Sequence, residues 1–292
     1  MLGKRKTLQE LTIMDGFLFG AVMMDPENCR ILLERILEIP IAWVDVIQEK
    51  SLIYHPEYKG IRMDVFAKDE EGTRFDVEIQ VRKTAVEKRS RYYHSQMNME
   101  MLLAGMPYDA LPDCYVIFIS DYDPFGQEKY RYRISNRCIE CPNMEYYDGV
   151  HTIILNNRGQ NPEEVPKELV SFLEYTKMSL PESEEKSEDA YIERIQESIR
   201  RIKGSREMGE KYMTLQEMLQ EEREEGRKEG YQEGREEGRE EGREEGRVEG
   251  YQEGREILII QLVKDCDITL EKGAEILNLS VEKFREKMHE YY

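Results

Sequence analysis

Two neighbouring segments with a period of two restrict this chain more than any other feature. Ile61, Met63, Val65 and Ala67 recur at every second position, and Phe75, Val77, Ile79 and Val81 do the same. Such alternation is the mark of half-buried β-strands. The intervening Lys68–Arg74 stretch is polar and contains Gly72, so the two segments read as a hairpin. If both apolar sets face one core, the parity of the register is fixed. A turn centred near Glu71 then sets Asp64 opposite Glu78, with Cβ atoms about 4.5–5.5 Å apart. Gln80 points the same way, one pleat on. Facing carboxylates repel, and a hard divalent cation such as Mg²⁺ compensates them with oxygen ligands and retained waters. A plainer reading stands beside this one. Outer hairpin faces commonly carry acidic residues, and Arg62 on that face would neutralise them.

Composition excludes several function classes. The 292 residues carry a formal net charge of −19, which argues against indiscriminate coating of nucleic acid. A local basic strip remains in Arg82, Lys83, Lys88, Arg89 and Arg91; it equally reads as a solvated helix face. The five cysteines, Cys29, Cys114, Cys138, Cys141 and Cys266, form no disulfide framework, so a reducing cytoplasm is the expected location. Cys138-Ile139-Glu140-Cys141 is a single C-x-x-C, and a structural zinc site needs four ligands. No signal peptide is expected, because Asp15 interrupts the apolar run after Lys4-Arg5-Lys6. No stretch is long enough to span a bilayer. His55, His94, His151 and His289 have no metalloprotease or triad spacing, and no phosphate-binding glycine loop occurs.

Along the chain, residues 7–38 read as helical, with Asp25-Pro26 as a helix start. Residues 42–55 hold a strand or loop leading into the hairpin. A helix is expected over 85–104, with Gly105 as its C-terminal cap. The apolar run Tyr115–Ile119 reads as a central strand buried on both faces. Strands follow near 130–134 and 151–155, then a helix near 166–177. Residues 181–189, rich in Ser and Glu, read as a solvated linker, and 190–220 as helix-compatible.

A second regularity begins beyond residue 220. Glycine stands at every fourth position from Gly226 to Gly254, each preceded by glutamate. Eight interior glycines cost an isolated helix roughly 8 kcal/mol relative to alanine. The i,i+4 glutamate column adds repulsion, while Glu→Arg pairs at i,i+3 return about 0.2–0.5 kcal/mol each. The tract is therefore either a disordered spacer or a helix supported by a partner, and a helical, self-associating stalk is the preferred reading. Residues 256–290 regain amphipathicity, with Asp267 or Thr269 and then Ser280 placed to cap helices. The pattern also resembles a helix-turn-helix, but its near-balanced charge shows no phosphate-binding face, and a small helical interaction module is preferred.

Taken together, the Asp64 strand, Glu78-Ile79-Gln80, Arg89, Tyr93 and Gly105-Met106-Pro107-Tyr108 resemble the recombination-promoting nucleases, the transposase-like branch of the PD-(D/E)XK nucleases. The resemblance covers roughly residues 10–180. It implies an α/β fold with a restriction-endonuclease-like core at 1–180. The linker and helix at 181–220, the repeat stalk at 221–256 and the small module at 257–292 would form a helical C-terminal extension. It implies a Mg²⁺-dependent (or other divalent-cation-dependent) DNA endonuclease with Asp64, Glu78 and Gln80 catalytic and Asp64 and Glu78 on the metal. Arg89 and Tyr93 would approach phosphate; alternatively Arg89 only pairs with Glu78 or Asp76, and Tyr93 is core. Asp15 is either a further acidic ligand or an ordinary helix-start aspartate, and the second is preferred. DNA is the expected partner, with homo-oligomers formed through 221–292 and no membrane. Glutamine where many relatives carry lysine leaves a second possibility, a catalytically weak or inactive DNA-associated protein that assembles through its repeat.

Overall fold

A computed structural model describes residues 6–52 and 61–291. His55 and the end of the expected 42–55 strand fall outside them, as do Lys4 and Arg5. The chain divides into two compact units, Met1–Thr214 and Leu215–Tyr292.

The first unit is built on a six-stranded mixed sheet. Its strands are β1 (Val44–Leu52), β2 (Ile61–Asp69), β3 (Arg74–Gln80), β4 (Cys114–Ser120), β5 (Arg131–Ile134) and β6 (Val150–Asn156). They lie in the order β1-β2-β3-β4-β6-β5. The β1–β2, β2–β3 and β5–β6 pairs are antiparallel, and β4 runs parallel to both β3 and β6. A central position explains why β4 reads as an unbroken apolar run: its two faces enter different cores. Ile117 and Ile119 join one core with helices α1 (Gly16–Met23), α2 (Pro26–Leu37), α4 (Lys167–Lys177) and α5 (Ala190–Gly204). Val116 and Phe118 join the other with α3 (Val86–Met101). This is an α/β fold of the expected class.

The hairpin has the expected register, Val65 opposite Val77 and Ala67 opposite Phe75. Asp69 organises its turn, accepting from the Glu71 and Thr73 amides at 3.0 and 2.8 Å, while Gly72 adopts φ 90°. The expectation that Ile61, Met63, Val65 and Ala67 share one face does not hold. Val65 and Ala67 enter the first core, whereas Ile61 and Met63 enter the second. The β2–β3 ladder ends at Val65–Val77, but the β1–β2 pairing continues to Leu52–Ile61. Past that point β1 and β2 are a two-stranded ribbon, and such ribbons twist more than sheets. Lys50, opposite Met63, follows the same turn and sits 4.0 Å above the Phe66 ring of the second core. Asp64 marks the place where β2 departs from β3.

Three further local differences have simple causes. The 7–38 stretch is a 3₁₀ turn at Leu8–Glu10 followed by α1 and α2. Helix α3 stops at Met101 with Leu102 extended, so Gly105 does not cap it; Gly105 takes φ 89° in the following turn, where Met106 N–H donates to the Leu103 carbonyl at 3.0 Å. The 181–189 segment is tied into the first unit. Asp189 caps α5 and pairs with Arg35 through two 2.7 Å contacts, while Gln196 donates to the carbonyls of Ser183 and Glu185.

The second unit contains most of α6 (Arg206–Lys264), then α7 (Leu270–Ile276) and α8 (Val281–Glu290). The glycine repeat lies within α6, and residues 221–255 are all exposed. Ile259, Ile260, Ala274 and Phe284 form a small core of their own. Cys266 and Asn278, both in the left-handed region, close α6 and α7 with Schellman bonds: Asp267 N–H to Leu262 at 3.0 Å, and Leu279 N–H to Ala274 at 2.9 Å. Thr269 and Ser280 are the side chains that cap α7 and α8. Among the described residues no helix is long and apolar enough to cross a membrane.

Candidate active site

Where β2 leaves β3, side chains take over the bonds that the ladder abandons. The Asp64 amide donates to Glu78 Oε1 at 3.1 Å, and the Ile79 amide donates to Asp64 Oδ2 at 3.2 Å. The two carboxylates are thus locked together through the backbone rather than left facing each other. The parting of the strands creates the unpaired amides that hold them.

Helix α3 closes the site. Residues Arg89 and Tyr93 stand four apart on one helix face. The Arg89 guanidinium donates to Glu78 Oε2, Gln80 Oε1 and, at 2.7 Å, the Tyr93 hydroxyl. It also lies 5.4 Å from the centre of the Phe118 ring. Gln80 donates in turn to the Arg82 carbonyl. Four of the sequence-derived residues, Glu78, Gln80, Arg89 and Tyr93, form one connected network with Asp64 joined at Glu78. The alternative partner assignment for Arg89 is therefore partly realised, since it does pair with Glu78. Tyr93 serves both readings: its ring packs in the second core and its hydroxyl faces Arg89.

Two more residues join the site: Gly16, which the sequence did not single out, and Asp76, which it offered only as a possible partner of Arg89. Asp76 precedes Glu78 and Gln80 on the same face of β3, so the i, i+2, i+4 row of β3 was the available signal. It is completely buried, and neither carboxylate oxygen has a hydrogen-bond partner. Gly16, the first residue of α1, lies against Asp64; a Cβ there would stand 3.4 Å from Asp64 Oδ2. The positive, N-terminal end of α1 thus lies beside that carboxylate. Asp15, one residue earlier, faces elsewhere: its carboxylate accepts from the Thr12 amide at 2.8 Å and from Lys6 Nζ at 2.8 Å. Asp15 occupies the N-cap position of α1, but its side chain makes no capping bond to that helix.

Electrostatically the site is over-supplied with negative charge. Burial, then the Asp64 charge, pushes the Glu78 carboxyl up to about 8, against the opposing pull of Arg89. Burial, then Glu78 and Asp64, raises Asp76 well above the usual carboxylate range. One guanidinium at hydrogen-bond distance cannot balance three carboxylates. Among the described residues no group of three or more His, Cys, Asp or Glu side chains converges on a single point as a metal cage. Two carboxylates beside an orphaned third nevertheless fit a hard cation that keeps several waters.

The exposed basic residues Arg82 and Lys83 lie on the loop after β3, and Lys88 and Arg91 on α3. By contrast, His94 is a core residue, bonded to Thr152 at 3.0 Å and Cys114 at 3.2 Å and held down to about 4 by burial.

A family model described as PD-(D/E)XK nuclease family transposase matches residues 15–225, a span that contains every residue of this network. No curated protein and no solved structure matches the chain.

Proposed function

We propose a reaction from one premise: the chain belongs to the PD-(D/E)XK nuclease family transposases. The reaction is endonucleolytic hydrolysis of DNA phosphodiester bonds, of the recombination-promoting type, dependent on Mg²⁺ or another divalent cation. The observation that carries it is the locking of Asp64 to Glu78 at the strand parting, with Gln80 and Arg89 in the same network. Asp64 and Glu78 would hold the cation, which when bound polarises phosphate and lowers the pKa of a coordinated water. Gln80 supplies a neutral dipole that orients water or phosphate. Arg89 presents a planar donor fork to a phosphate, and Tyr93 fixes the position of that fork through its hydroxyl. The exposed Arg82, Lys83, Lys88 and Arg91 give the DNA backbone a local counter-charge on an otherwise acidic protein. The same reading includes a cytoplasmic location, in keeping with five unpaired cysteines, and self-association through residues 221–292.

Arg89 on Glu78 favours a second reading, in which the guanidinium takes the place of a cation and the protein is a weak or silent DNA-associated assembly factor. Plasmid nicking across a Mg²⁺ titration separates the two. The nuclease reading expects nicking that falls at least 100-fold in Asp64→Ala and in Glu78→Ala. Cleavage undiminished in both variants would exclude it, and no cleavage under any divalent metal would leave the assembly reading in its place.

A further inference from the structure

The repeat in α6 has a sided arrangement of charge. Take each glycine from Gly226 to Gly254 as the centre line, with successive residues advancing about 100°. One flank, at roughly +60° to +100°, carries arginine or tyrosine at every fourth position from Arg223 to Arg255. The other flank, at roughly −60° to −100°, carries glutamate at every fourth position from Glu225 to Glu253. The back of the helix carries the mixed fourth column. This face has no cover: residues 221–255 are exposed, and nothing lies within 4 Å of a Cβ placed on any of these glycines. The intrahelical pair Glu244–Arg247, at 2.6 Å, draws its carboxylate from the back column and not from the glutamate flank.

We infer that this face pairs with the same face of a second copy of the chain, and that the two helices run parallel. The inference rests on the self-association reading above and adds its geometry. A two-fold axis along the helices sets the arginine flank of each copy against the glutamate flank of the other, on both edges of the contact. Each arginine then lies two residues, about 3 Å along the axis, from glutamates on either side in the partner helix. A two-fold axis across the helices does the reverse, setting arginine against arginine and glutamate against glutamate along the whole tract. Like charges so placed repel, and the pattern selects against that arrangement. Nucleic acid is a poorer occupant, because acidic residues outnumber basic ones between 221 and 256. The four-residue period exceeds 3.6, so the face drifts about 40° per repeat, and a contact kept along the tract wraps with a right hand. Glycine at the centre line permits the close approach that such a contact needs.

Disulfide trapping in the full chain tests the orientation. In a background with Cys138, Cys141 and Cys266 changed to serine, Gly226→Cys and Gly254→Cys are made separately. The expected result is a dimer mass by sedimentation and a homodisulfide in each variant, at least tenfold over the mixed disulfide when the two are combined. A mixed disulfide alone would overturn the parallel arrangement. A dimer mass with no cross-link at all would overturn the choice of face, and a monomer mass would overturn self-association itself. Charge exchange gives an independent reading. Arg235→Glu with Arg239→Glu and Arg243→Glu should abolish dimers, and mixing with Glu233→Arg, Glu237→Arg and Glu241→Arg should restore them; unaltered dimers in either triple variant would count against the flank pairing. Plasmid nicking by the same proteins reports on the nuclease reading separately.

Discussion

At the residue scale, the site is a problem in neutralising buried acid. Glu78 is 1% exposed and its carboxyl is pushed up to about 8, so the folded protein holds a proton there that the unfolded chain, at the ordinary value of 4.5, has already released. A raised folded value contributes stability that is complete below pH 4.5 and is lost as pH rises through about 8. In chelator, the thermal midpoint of the wild type should therefore fall between pH 5 and 8 more than that of Glu78→Gln, and parallel pH profiles would show the charge is not felt. Added Mg²⁺ should recover stability more at pH 8 than at pH 6, because its ligands must be deprotonated. The row Asp76-x-Glu78-x-Gln80 was legible as a strand face. That Asp76 would be wholly buried was not, since that depends on α3 and β4 closing over it.

At the element scale, local pattern and tertiary context divide the work differently in the two units. In the first, the alternation of β2 predicts the pairing with β3 but not the change of face at Asp64, because the twist follows from losing β3 as a neighbour. In the second, the caps are set by local chemistry: Thr269 and Ser280 bond the amides three residues on. The small core there leaves little margin. Phe284 is fully buried, and a Cβ on Gly273 would stand 2.9 Å from its ring and 2.7 Å from Val263. Truncating such a phenylalanine costs about 3–5 kcal/mol. Phe284→Ala should accordingly expose the amides of α7 and α8 to fast hydrogen exchange while those of β4 stay protected; unchanged protection in α7 would show that the core is not what holds it.

At the scale of the whole molecule, the first unit has the two cores and every residue of the candidate site, so truncation after Thr214 should leave one cooperative unfolding transition and plasmid nicking while removing self-association. An aggregated or unfolded fragment would show that the rest of α6 is needed for folding. The sequence alone determined the strand pair, its register, the acidic row, the buried central strand and the four-residue charge pattern of α6, because each is a matter of spacing between near neighbours. The tertiary structure alone decided that Arg89 holds Glu78, that Gly16 backs Asp64 and that β2 changes face, because each depends on how separate elements pack or part and not on the residue pattern within one of them.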